Sequence, residues 1–170
     1  KSRPLPENWS IKRIRDFAKV QAGSTPLRSN KNFFEGGSFP WVKTLDLNND
    51  RIRETEELIT DLALEKTSCK LRSKETVLVA MYGGFNQIGR TGLLEVEAAT
   101  NQAISAVMIN GDDVIPEYLL LVLNTKIDYW KKWEFFELVE DLHAAEKILA
   151  EYKGGYSGEF LSAEEFHEAL

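Results

Sequence analysis

Apolar and polar positions alternate along Trp9-Ser-Ile-Lys-Arg-Ile14, a period of two that predicts a strand. Asp16-Phe-Ala-Lys-Val20 predicts a short helical turn or a continuation of that strand. Trp41-Val-Lys-Thr-Leu45 opens a further strand, which Asn48-Asn-Asp50 ends. Thr76-Val-Leu-Val-Ala-Met81 is a continuous apolar, β-branched run and predicts a strand buried on both faces. Residues 91–96 and 103–109 read as two more strands. Thr60 is placed to cap a short helix through Glu65, and Pro116 to occupy the first turn of another. Ile115, Leu119, Val122, Leu123 and Trp130 follow helical spacing. Strands dominate and do not alternate regularly with helices. The expected class is therefore α+β, a twisted mixed or antiparallel sheet with few short helices.

After about residue 132 the pattern changes. Phe135, Leu138, Leu142, Ala145, Leu149 and Tyr152 recur at intervals of three and four, a heptad seam over almost three heptads. The seam predicts a helix over 133–153, packed either on its own domain or against a partner, including a second copy. Gly154-Gly-Tyr-Ser-Gly158 ends it, and the capping box at Ser162 to Glu165 opens a short helix over 162–170. The expected organisation is a strand-rich domain, 1–132, and a helical tail, 133–170.

Charge sharpens that division. The net of −6 over 170 residues argues against a nucleic-acid binder. Yet residues 1–132 hold 19 Lys and Arg against 17 Asp and Glu, whereas residues 133–170 hold 2 against 10. The acidity belongs to the tail, which should point away from any nucleic acid. Two histidines and one cysteine, Cys69, make neither a disulfide nor a His/Cys metal site. Asp46 with Asp50 lacks the further acids and lysine of a metal nuclease. With no apolar run of membrane-spanning length and no signal-peptide core at the start, the cytoplasm is the expected compartment.

Gly84-Phe-Asn-Gln-Ile-Gly89-Arg90-Thr91 nearly spells a phosphate-binding loop. Arginine stands in the lysine position, however, and Gly92-Leu-Leu-Glu-Val-Glu97 has no helical amphipathicity to place a helix N-terminus at a phosphate. A plain strand connection is one alternative. Another is a loop that approaches DNA, with Asn86, Gln87 and Arg90 facing base edges. In Gly23-Ser-Thr-Pro-Leu-Arg-Ser-Asn30, Ser24, Thr25, Arg28 and Ser29 suit phosphate contact, or form an ordinary turn. A serine nucleophile there lacks a base, since both histidines lie in the tail. Tyr82, beside two glycines, reads first as a cover for the core and second as a stacking platform.

Taken together these segments resemble a target recognition domain of the specificity (S) subunit of type I restriction-modification systems. The resemblance runs from Leu5-Pro-Glu-Asn-Trp9 to about Lys132. It rests on Gln21-Ala-Gly-Ser-Thr-Pro26, Phe33-Phe-Glu-Gly-Gly-Ser-Phe-Pro-Trp-Val-Lys-Thr44, Asp46-Leu-Asn48, Thr76-Val-Leu-Val-Ala-Met-Tyr-Gly-Gly84, Ile88-Gly89 and Thr100-Asn-Gln-Ala103, in that order. It implies a non-catalytic reader of one half of a split double-stranded DNA target. Methyltransferase (M) subunits using S-adenosylmethionine and restriction (R) subunits using ATP would be its partners, so no cofactor is expected in this chain. The expected DNA-contact set is Ser24, Thr25, Arg28, Asn30, Lys43, Thr44, Asn48, Tyr82, Asn86, Gln87, Arg90 and Asn101. S subunits of the family carry two such domains. The chain then corresponds to a dimerising half-subunit, a fragment, or a recognition domain joined to an unrelated tail. A different class of function stays open beside it: a protein-interaction module with a degenerate recognition fold and an acidic partner-binding tail.

Overall fold

Val77–Ala80, all four residues buried, forms the middle strand of a five-stranded sheet, whose centre is therefore covered on both faces. In the computed structural model, which describes residues 10–84 and 86–127, the elements run as follows. A helical turn α1 (Ile14–Phe17) leads into β1 (Ala18–Ala22), and a 3-10 turn at Lys31–Phe33 precedes β2 (Phe39–Val42). Then come β3 (Arg51–Ile52), β4 (Glu57–Ile59), α2 (Asp61–Lys66), β5 (Val77–Ala80), β6 (Thr91–Leu94), β7 (Ala99–Thr100), β8 (Ile104–Ile109) and α3 (Pro116–Asn124). The large sheet has the order β1-β8-β5-β6-β3, and a small one has the order β4-β2-β7. Both mix parallel and antiparallel pairs: β3 with β6 and β2 with β7 are parallel, the rest antiparallel. This is the α+β class that the pattern predicts.

The period of two along β5 sorts its side chains onto two cores. Leu78 and Ala80, with Ile104, Ala106, Leu94 and Ile52, face a layer made by Val42, Leu47 and Ala98. Val77 and Val79, with Leu93, Val107 and Ala18, face Leu119, Leu120 and Leu123 of α3 and the flank of α1. A third cluster, Phe33, Trp41, Ile59, Ala63, Cys69 and Ala99, holds the small sheet against α2. Thr60 caps α2 as expected, accepting from the Ala63 N–H at 3.3 Å. Pro116 starts α3 as expected.

Three expectations shift. The alternation before residue 15 does not make a strand. Asp16 accepts from the Arg13 N–H at 2.9 Å and closes a helical turn, so the strand begins at Ala18 and Ile11 stands in solvent. Trp9 lies outside the described residues. The strand at Trp41 ends at Val42, because Asp46 accepts from the Lys43 N–H at 2.7 Å and folds residues 43–46 into a turn. On α3 the buried positions are Leu119, Leu120 and Leu123. Ile115 is the exposed N-cap, and Trp130 lies outside the described residues. The tail helices expected over 133–153 and 162–170 also fall outside them. The short strands β3, β4 and β7 carry too few residues for a periodic signal.

Register fixes where the loops go. Ala22 at the end of β1 pairs with Ser105, and Ala80 at the end of β5 pairs with Ile104, the first residue of β8. Val42 at the end of β2 pairs with Thr100 at the end of β7. The segments 23–30, 43–46, 81–90 and 101–103 therefore leave at one end of the molecule. Gly23 makes this possible: a Cβ there would stand 2.2 Å from the carbonyl oxygens of both Thr100 and Asn101. Backbone cannot yield as a flexible side chain does. Gly23→Ala is expected to lower unfolding free energy by about 2–3 kcal/mol, read from urea denaturation midpoints at unchanged slope. A midpoint equal to that of the parent chain would contradict this packing.

Candidate nucleic-acid interface

Hydrogen bonds made by side chains, one of them to a backbone carbonyl, join the four loops into a circuit. Thr25 Oγ1 donates to Gln102 Oε1, and the Gln102 carbonyl accepts from the Tyr82 hydroxyl at 2.6 Å. Tyr82 belongs to the same loop as Gln87, whose Oε1 accepts from Thr44 Oγ1 at 2.7 Å. Next to Thr44, Lys43 Nζ lies 2.6 Å from Glu57 Oε1 and 2.6 Å from Glu56 Oε2. Glu57 also takes both terminal nitrogens of Arg28, which returns the circuit to the loop of Thr25. The Arg28 guanidinium lies 4.7 Å from the Trp41 ring centre and 4.9 Å from that of Phe34. Its plane is held by charge on one side and aromatic faces on the other.

The glycine-rich loop is a hairpin connection between β5 and β6. Gly89 has φ +72°, a left-handed conformation that favours glycine, and its N–H bonds the Ala80 carbonyl at 2.9 Å. The Arg90 Nε donates to the Asn86 carbonyl at 2.9 Å. A strand, β6, follows the loop directly, so no helix N-terminus addresses it. The phosphate-loop reading has no structural support here.

The other expected contact residues divide by what already occupies them. Ser24 donates to or accepts from Ser68 at 2.7 Å, while its carbonyl takes the Trp41 indole N–H and the Cys69 thiol. Asn30 caps the 3-10 turn. Asn48 bonds its own turn through Asp50 N–H and the Arg51 carbonyl. Asn101 accepts from the Ala103 N–H. Thr44 is buried. Tyr82 is half exposed and does not cover the core. The side-chain amide of Asn86 and the terminal guanidinium nitrogens of Arg90 have no partner among the described residues. Glu57 and Gln102, which knit the circuit, escape sequence reasoning. Gln102 sits within the Thr100-Asn-Gln-Ala103 motif and was the legible one. Glu57 lies in an acidic run, Glu54 to Glu57, that reads as solvated surface.

Electrostatics follow the geometry. Arg28 first, then Lys43, holds the Glu57 carboxyl below its ordinary value of 4.5, against the opposing effect of partial burial. Hydrogen bonds to Glu56 and Glu57 push Lys43 above 10.5. Both cations of the circuit are thus neutralised within the protein.

The sequence model of the type I restriction modification DNA specificity domain matches residues 6–151. The chain belongs to this family. The specificity subunit of the type I restriction enzyme MjaIX from Methanocaldococcus jannaschii is 32% identical over 125 residues, 72% of this chain and 28% of that protein. Two solved structures share the fold of the specificity domain. The HsdS subunit from Thermoanaerobacter tengcongensis superposes with a TM-score of 0.60 at 16% identity, over 76% of this chain and 30% of that one. A structure described as underlying complex assembly and conformational transition of the type I R-M system gives 0.61 at 18%, with the same coverage. This specificity domain thus spans under a third of the length of those relatives. Among its described residues no helix is long and apolar enough to cross a membrane.

Glu57→Gln tests the ion-pair hub. The lowered carboxyl contributes stability fully present above pH 4.5 and lost as pH falls through its lowered folded value. Lys43 contributes below pH 10.5 and loses its contribution as pH rises through its raised value. Between these limits Glu57→Gln is expected to cost about 1–2 kcal/mol. Thermal melts at pH 7 and pH 3 should show the gap between variant and parent shrinking at the lower pH. A gap that is constant down to pH 3 would remove Glu57 from the hub.

Proposed function

We infer that this chain is a DNA target recognition domain that reads one half of a split double-stranded site for a type I restriction-modification complex. The observation that carries the reading is the tied circuit of four loops at one end of a fold shared with specificity subunits. Base reading needs side chains held still before contact, and the circuit supplies that. Asn86 and Arg90 are the base readers: an amide suits adenine and a guanidinium fork suits guanine. Fixing Arg90 Nε on a carbonyl leaves its two terminal nitrogens as the fork. Ser24, Thr25, Asn30, Asn48 and Asn101 shape the loops and place backbone beside the duplex. Arg28, Lys43, Thr44, Tyr82 and Gln87 hold the circuit together.

The chemistry belongs to partners. Methyltransferase (M) subunits bring S-adenosylmethionine and methylate adenine, restriction (R) subunits bring ATP, and this chain contributes specificity without a catalytic residue or a cofactor of its own. Residues 1–132 form the reading domain. The heptad seam from Phe135 through Leu138, Leu142, Ala145 and Leu149 to Tyr152 forms an assembly helix for a methyltransferase subunit or a second copy. A cytoplasmic location follows from the reading and fits the free, buried Cys69. The neutralised Arg28 and Lys43 favour a second reading in one respect, since a degenerate fold that only binds protein has no use for free cations.

Co-purification with the cognate methyltransferase subunit, followed by sequencing of methylated adenines, decides between them. A defined bipartite motif is expected, and random or absent methylation would favour the interaction module. Arg90→Ala should weaken specific binding by roughly 1–3 kcal/mol and relax one position of the motif. Unchanged rate and motif would remove Arg90 as a reader. Deleting residues 133–170 should abolish co-purification while leaving the reading domain folded; retained assembly would take the seam out of the interface.

A further inference from the structure

We propose that Leu45 reads the C5 methyl group of a thymine in the target, an apolar contact made from the tip of the circuit. The proposal rests on the reading of this domain as a DNA reader and names part of the base chemistry it recognises. Four of the large apolar side chains left in solvent, Leu27, Leu45, Met81 and Tyr82, stand on the loops of the circuit. Leu45 is 62% exposed and is fixed from both sides along the chain. Before it, Thr44 is buried and bonded to Gln87. After it, Asp46 closes the turn onto the Lys43 N–H and also accepts from the Glu56 N–H at 3.2 Å. An exposed leucine on an otherwise rigid turn loses little further backbone freedom on contact.

Its surroundings select the ligand. The neighbouring cations Arg28 and Lys43 are already paired with Glu56 and Glu57, so the tip offers little free charge to a phosphate. Thr44 bonds to Gln87, one residue from Asn86, whose amide is open. An apolar tip on a turn tied to the loop of an open amide fits the major-groove edge of an A·T pair, which presents the adenine N6 and N7 groups and the thymine methyl. The thymine methyl is the one apolar group that a base edge offers there.

Deoxyuridine tests this because it differs from thymidine in that methyl alone. With the motif known from methylated-adenine mapping, each thymine of this domain's half-site is replaced in turn, and binding of the assembled complex is measured by fluorescence anisotropy. One replacement should weaken binding roughly fourfold, the equivalent of one buried methyl. Leu45→Ala should weaken binding to the thymine duplex by at least that factor and erase the difference between thymine and uracil. Leu121→Ala, an exposed leucine on α3 outside the circuit, should preserve it. If no replacement matters, or if the difference survives in Leu45→Ala, the methyl contact is overturned. Sequence-specific methylation would stand in either case. A parent complex that shows no specific binding at all would overturn the DNA-reading function together with it. Unchanged melting temperature of Leu45→Ala confirms that the comparison is between folded proteins.

Discussion

The chain leaving β1 lies directly against the chain leaving β7, and the arrangement of the loops depends on that backbone crossing. At Gly23 a Cβ would stand 2.2 Å from the Thr100 and Asn101 carbonyl oxygens and 2.3 Å from Thr100 Oγ1. The Ser24 N–H bonds the Thr100 carbonyl at 2.8 Å, and the Asn101 N–H bonds the Val42 carbonyl at 2.9 Å. The large sheet contributes the first segment and the small sheet the second and third. The crossing therefore docks one sheet on the other and sets four loop stems side by side. The Ser24 carbonyl then anchors Trp41 and Cys69 of the third core, so packing beneath the loops and hydrogen bonding across them share an atom. A wider crossing would separate Thr25 from Gln102 and open the circuit there.

This explains which parts were legible along the chain. β5, β6 and β8 declare themselves because burial on both faces demands uninterrupted apolar runs, and Thr60 and Pro116 because helix ends need particular chemistry at one position. The alternation from Trp9 to Ile14 is real in the sequence, but Ile11 has nothing to pack on and residues 10–13 form no strand. A carboxylate three residues from an N–H outweighed it. The overlong strand at Trp41 failed for the same reason, with Asp46 closing the turn. Both errors are side-chain competition for backbone donors, which periodicity does not count.

The candidate site was legible in composition and not in connectivity. Its loops were identified by glycine, hydroxyl and amide content, and register does bring them to one end. What no local pattern states is that Arg28 and Lys43 meet on Glu57, since 29 and 14 residues separate those partners. Free positive charge at the loops was expected from residue type. Pairing converts it into rigidity.

That conversion bears on how the domain divides its labour. On the proposed reading, Arg28 and Lys43, held internally, would release few counterions on contact with DNA, so their share of affinity and of its salt dependence would be small. What the circuit would contribute on that reading is a fixed pattern of donors and apolar tips, and pattern discriminates between bases where charge does not. Arg51 and Arg53 show the same economy away from the loops: both are bound to Glu95, and Arg51 also reaches Glu117 of α3. On the proposed reading, phosphate contacts would then come from partner subunits, which would couple tight binding to assembly.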